Sequence, residues 1–116
     1  MKTFKANTDV KVTDTITDED STNITLSSLI DLTFTAYDAD GAVIGEWSLN
    51  NSGGDVKAVT ADTDDETFIF NIETDITGSH DYCKVEGEIT YTDTTLSDNI
   101  RNIVFDVDSY TFTECQ

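Results

Sequence analysis

Tyr82-Cys83-Lys84-Val85-Glu86-Gly87-Glu88-Ile89-Thr90-Tyr91 alternates without a break. Cys83, Val85, Gly87, Ile89 and Tyr91 share one parity, and Lys84, Glu86, Glu88 and Thr90 share the other. Successive side chains of a β-strand point to opposite faces, so this period of two specifies a strand with one buried and one wet face. The pattern recurs on both sides. Upstream, the run 67–73 places Phe68, Phe70 and Ile72 inward. Downstream, Ile103, Phe105 and Val107 point one way, while Tyr110 and Phe112 fall on the opposite parity. That switch predicts a β-bulge near Ser109. If the last two strands pair antiparallel about a turn near Leu96, Cys83 faces roughly residue 110.

Toward the N-terminus the signals are shorter. Val10, Val12 and Ile16 suggest a first strand, although Asp14 interrupts its apolar face. Residues 18–23 read as loop. The run 26–37 reads as one long strand with Ile30, Leu32, Phe34 and Ala36 on one face. Asp38-Ala39-Asp40-Gly41 then turns the chain, because glycine after aspartate supplies the positive φ that tight turns need. Val43, Gly45, Trp47 and Leu49 form the inner face of the returning strand. Asn50-Asn51-Ser52-Gly53-Gly54-Asp55 is loop, and residues 56–60 read as a short edge strand guarded by Lys57. Residues 62–65 form another polar loop. Six to seven mainly antiparallel strands separated by turn signals predict an all-β fold, an immunoglobulin-like β-sandwich. Ile76 lies six residues before Tyr82, the spacing of the tyrosine corner found in such sandwiches, and Cys83 competes with Tyr82 for the inward position.

A chain of 116 residues suits one domain, here 1–116, with 1–22 as an extended arm or first strand. Twenty-four acidic against six basic residues give a net charge of −18 at pH 7. Nucleic-acid partners are not expected, because phosphates must be met by clustered Lys and Arg. An anionic membrane surface would repel the chain for the same reason. Residues 1–7 carry no apolar segment of the signal-peptide kind, so none is expected.

Catalytic and metal signals are thin. His80 is the single histidine and falls in an expected surface turn, with no nucleophile motif to serve. The carboxylates lie in loops and on polar strand faces, where nothing desolvates them into general acids. Calcium is the competing reading for two acidic loops, through Asp38 and Asp40 or through Asp62 and Asp64 with their neighbours. The match of Asp62, Asp64, Glu66 and Glu73 to a helix-loop-helix calcium loop is accidental, since Thr67 occupies the glycine position and the segment alternates as strand. Otherwise no cofactor is expected. Cys83 and Cys115 lack metal-knuckle spacing and are expected as free thiols.

Taken together, Asn23-Ile24-Thr25-Leu26, the strand through Ile30-Asp31-Leu32-Thr33-Phe34-Thr35-Ala36-Tyr37, the Asp-Gly turn, Thr67-Phe68-Ile69-Phe70-Asn71-Ile72, the Gly78 turn and the Tyr82-led strand follow one another in a familiar order. That order resembles the small immunoglobulin-like domains of tailed-bacteriophage virion proteins, of the upper-baseplate N-terminal, head-fibre or decoration type. The resemblance spans about residues 23–113. It implies a non-enzymatic building block, assembled in the host cytoplasm into a virion and docked to other virion proteins, in several copies or as a homo-oligomer. A charge of −18 would suit a basic docking surface and oppose self-association. Loop character marks Asn51 and Asp55, then Asp62, Asp64 and Asp65, then Asp93 and Asp98 as contact residues. The alternative is a carbohydrate- or cell-surface-binding module, which would carry an exposed aromatic platform.

Overall fold

A computed structural model describes residues 2–17, 22–93 and 99–113. Within them the chain forms nine strands: β1 (Lys2–Lys5), β2 (Val10–Thr15), β3 (Asp31–Tyr37), β4 (Val43–Ser48), β5 (Val56–Ala58), β6 (Thr60–Ala61), β7 (Thr67–Ile72), β8 (Tyr82–Asp93) and β9 (Asn99–Thr113). A 3₁₀ turn spans Leu26–Ser28, and one helical turn, α1, spans Thr74–Thr77. A six-stranded mixed sheet has the order β1-β9-β8-β3-β4-β5, and a three-stranded antiparallel sheet has the order β2-β7-β6. The all-β expectation holds. Nine strands replace the expected six or seven, and β1–β9 and β4–β5 pair parallel.

The core lies between the sheets. Phe34 of β3 stacks on Phe70 of β7 at a centroid distance of 4.4 Å, and Phe68 lies 4.7 Å away. Trp47 packs 5.0 Å from Phe70, and its Nε1 donates to the Asn71 carbonyl at 3.0 Å, tying β4 to β7 across the layers. A buried indole must satisfy its one donor, so this bond fixes how the two sheets sit together. On the inner face of β8, Val85 and Ile89 stand opposite Ala36 and Leu32. Gly87 stands opposite both Phe34 and Phe105. A Cβ on Gly87 would fall into the Phe105 ring, so the missing side chain is the space that the ring fills.

Several sequence expectations hold in detail. Cys83 pairs with Tyr110 and is fully buried. Asp38-Ala39-Asp40-Gly41 is a turn, with Gly41 at φ +84°. The bulge expected near Ser109 sits at Val107: Val85 faces Asp108 while Glu86 faces Asp106. One extra residue flips the parity beyond it and sends Tyr110 and Phe112 into the core.

Other expectations are corrected. Residues 26–29 are not strand. Leu26 and Leu29 are buried three apart around the 3₁₀ turn, and Ile30 is turned outward at 43% exposure. The expected edge strand 56–60 splits. β5 joins the large sheet, Val59 is buried at the crossing, and β6 joins the small sheet. Within the described part of residues 1–22, β1 joins the large sheet and the expected first strand, β2, joins the small one. Tyr82 forms no tyrosine corner: its hydroxyl is 3.4 Å from Ser109 Oγ, and Cys83 takes the inward place.

Candidate functional site: an acidic surface around a pinned loop

Asp31, the first residue of β3, is the most enclosed carboxylate of the described chain, at 8% exposure. It lies on the outward face of the large sheet, under the loop that follows β4. Its Oδ1 accepts from Leu32 N at 2.8 Å, Ser48 Oγ at 2.9 Å and Asn50 N at 3.0 Å. Its Oδ2 accepts from Asn51 Nδ2 at 2.6 Å and from Ser48 Oγ at 2.9 Å. Burial is the largest single influence on this group and opposes ionisation. The bonds from Asn51, Asn50, Ser48 and Leu32 together outweigh it and hold the pKa below the usual aspartate range. A general acid needs the opposite shift. Asp31 is therefore a structural anchor that fixes the start of the 50–55 loop. Asn51, expected as a free contact residue, is one of its ligands, and its backbone N–H also bonds Ser48 Oγ at 2.8 Å.

The other acidic loops use their carboxylates as turn caps. Asp38 Oδ1 accepts from the N–H groups of Asp40 and Ala42, both at 2.9 Å. Asp64 Oδ1 accepts from Glu66 N and Thr67 N, and its Oδ2 from Thr67 Oγ1 at 2.8 Å. Those backbone and hydroxyl donors favour the ionised form and lower the Asp64 pKa. Asp62 caps Thr63 N, and Asp65, in the left-handed region at φ +58°, accepts from Ser27 Oγ. Glu66 Oε1 accepts from Asn23 Nδ2 at 3.0 Å, so this loop is stitched to the segment before the 3₁₀ turn. Among the described residues no three His, Cys, Asp or Glu side chains gather as a metal-ion group, and Asp38 and Asp40 are not brought together with Asp62 and Asp64 in one. Asp93 ends β8 opposite Asn99. Asp98 and Cys115 lie outside the described residues, and the question of their contact or pairing lies there too.

Asp55 opens onto a wide groove of about 380 Å³ between β4 and the turn before β5, lined also by Val43, Glu46 and Asp75. Lys57 crosses it to Asp75 at 2.7 Å, so the residue expected as an edge guard serves as a tie to α1. All eleven aromatic side chains (six Phe, four Tyr, one Trp) are buried or half-buried. None offers the exposed platform that a carbohydrate module would present. His80 is half-buried, and its backbone N–H closes α1 onto the Ile76 carbonyl. Cys83 is a free thiol, pushed up to about 11 by burial, and so is inert at neutral pH.

Among the described residues, three of the five exposed large apolar side chains lie on β9, the other two being Ile30 and Val43. Ile100, Ile103 and Val104 are 67%, 47% and 60% exposed. Sequence reading had placed Ile103 in the core with Phe105. Its inward parity is real, since it pairs with Ile89, but among the described residues no strand pairs with β9 on its other side at that point. No family model, curated protein or solved structure matches this chain.

Proposed function

We propose that this chain is a non-enzymatic structural protein of a tailed-bacteriophage virion, a docking adaptor, decoration or fibre-base component of head, neck or baseplate. The architecture is read as immunoglobulin-like. In the variable-type arrangement a sheet of strands G, F, C, C′ and C″ faces one containing B, E and D. Here β9-β8-β3-β4-β5 and β2-β7-β6 take those places in that order, with β1 added parallel on the far edge of β9. β5 departs from the pattern by running parallel to β4.

The observation that carries the functional reading is how the side chains are divided. The aromatics are spent between the sheets, the buried carboxylate is locked in hydrogen bonds, and the remaining acids line turns and outer strand faces. A surface of that kind, at −18, adheres to a basic neighbour and steers its approach. Repeated copies in a symmetric particle add avidity to weak contacts. Mass spectrometry of particles purified from cells that carry the gene tests this: the reading expects the chain at stoichiometric abundance relative to known capsid or tail proteins. Its absence from washed particles would refute it. Replacing Asp62, Asp64 and Asp65 by Asn should weaken association with particles and flatten its salt dependence, as expected for a charge-steered contact.

A further inference from the structure

Two irregularities of the strands converge on one place. Asp14 stands on the apolar face of β2 with Val10 and Val12, and the bulge at Val107 puts Asp108 on the parity of Tyr110, opposite Val85. On β1, Lys2 pairs with Tyr110 and Phe4 with Phe112, so Lys2 too is set toward the space between the sheets. These strands enclose a hollow of about 230 Å³ where β1 and β2, the edge strands of the two sheets, lie nearest. Phe4, Val12 and Val107 wall it, and Lys11 comes to its rim from the other face of β2.

Tyr110 is the most enclosed residue that lines it, at 2% exposure. Among the described residues its hydroxyl has no hydrogen-bond partner, yet no side-chain polar atom sealed from solvent lacks one. The hydroxyl therefore reaches open space, and the hollow is the space that Tyr110 lines. Burial first, then Asp108, Cys83 and Asp14, push the phenol up to about 12, so it keeps its proton and stands close to both carboxylates of the hollow. A phenylalanine ring would pack as well without taking a hydroxyl out of water. Charges turned inward on edge strands discourage edge pairing, which accounts for Lys2 and Asp14 but not for this hydroxyl. The charged groups keep bonding capacity. Asp14 and Asp108 each use Oδ1 on the next backbone N–H, of Thr15 at 2.8 Å and of Ser109 at 2.7 Å. Asp108 Oδ2 is 3.7 Å from Lys2 Nζ, longer than a hydrogen bond, and among the described residues Asp14 and Lys11 are in no ion pair.

We infer that the hollow binds a small zwitterion, an aliphatic α-amino acid, with its ammonium on Asp14, Asp108 and the Tyr110 hydroxyl, its carboxylate on Lys11 and Lys2, and its side chain against Phe4, Val12 and Val107. Two lysines and two aspartates balance here in a chain of −18, so the lining suits a ligand of both charges over a ligand of either. An ammonium has three donors, the number of acceptors that converge. The volume is that of roughly seven or eight waters at about 30 Å³ each, room for a molecule the size of valine or leucine. The inference stands whether or not the chain is a virion component.

The test is an NMR titration of the isotope-labelled full chain with leucine, beside isoamylamine and isocaproate, which carry the same side chain with one charge each. Leucine should shift the amides of β1, of residues 11–14 and of residues 107–110 with a dissociation constant of about 1 mM or below, the scale of a ligand of about nine non-hydrogen atoms. Each one-charge relative should bind at least about tenfold more weakly, because a charged hydrogen-bonding group is lost. Tyr110→Phe should weaken leucine at least about fivefold and leave the melting temperature at neutral pH unchanged, since the hydroxyl has no partner in the protein. Lys11→Gln, at the exposed rim, should weaken leucine and isocaproate but not isoamylamine. No shift with leucine at about 20 mM would overturn the inference. Isoamylamine binding as tightly as leucine would make this a cation site, isocaproate doing so would make it an anion site, and either would overturn it. So would a Tyr110→Phe chain of full leucine affinity, which would leave the hydroxyl to water alone.

Discussion

Replacing Asp31 by Ala removes the acceptor for four donors at once. Two of them, Leu32 N–H and Ser48 O–H, are in the buried part of the network. Asn50 and Asn51 stand nearer to water and can recruit it. A hydrogen bond to a charged group contributes about 1.5–3 kcal/mol net, and the two enclosed donors set the scale, so Asp31→Ala should cost about 3–5 kcal/mol. A chain of this length unfolds with an entropy of about 0.24 kcal/mol per kelvin near its midpoint, so the melting temperature should drop by about 12–20 °C. Asp31→Asn keeps one oxygen for Leu32 and Asn50 but turns an amide toward Asn51. It should cost about 2 kcal/mol and about 8 °C. The pH dependence has a definite sign. The folded pKa of Asp31 is lowered, so its contribution is complete above the unfolded value near 3.8 and is lost as pH falls through the folded one. The gap between wild type and Asp31→Asn should therefore hold level from pH 7 to about pH 4 and shrink below it. Thermal melts by circular dichroism give both quantities. Asp40→Asn is the control that removes one exposed negative charge without touching the network, and it should leave stability level or slightly raised. If Asp31→Ala melted within about 2 °C of wild type, or if the gap widened in acid, the anchoring role would be refuted.

Gly87→Ala should destabilise by about 1–3 kcal/mol, because the new methyl displaces the Phe105 ring from the core-facing side of β8 and β9; urea melts with an unchanged slope would show this. Tyr110 should titrate near 12, because burial first and then Asp108, Cys83 and Asp14 disfavour its phenolate. A raised folded pKa means stability is full below the unfolded value near 10 and declines as pH rises toward 12. Ultraviolet titration should find one of the four tyrosines late, and a Tyr110→Phe variant should lack that step and lose less stability over the window. In a Cys115→Ser background, Cys83 should react with a thiol reagent only at the rate of unfolding, and labelling within seconds in native buffer would contradict its burial.

Much of the fold was legible because its strands alternate. β7, β8 and the central part of β9 follow from period two alone, and the facing of Cys83 with Tyr110 follows from strand lengths about a shared turn. Where reading failed, local pattern was overruled by distant contacts. Lys2–Lys5 carries a single apolar residue, Phe4, and becomes strand only because β9 lies beside it. Leu26, Leu29 and Leu32 are spaced by three, which a strand parity of two misassigns. The bulge was detectable from the parity switch, but a switch cannot say which residue between Phe105 and Tyr110 is the extra one. The acidic loops were visible from composition, while Asp31 was hidden: an aspartate at the head of an apolar strand looks like an outward polar position until the loop folds over it. That no described strand pairs with the outer side of β9 before Tyr110 is a property of strand order, which alternation does not carry.

Amide hydrogen exchange along β9, followed residue by residue by NMR, probes the account most directly. Amides from Ile100 to Asp106 that bond to β8 should be protected, in the alternating pattern of an antiparallel pair. Uniformly fast exchange through this stretch would contradict the strand and its place beside β8.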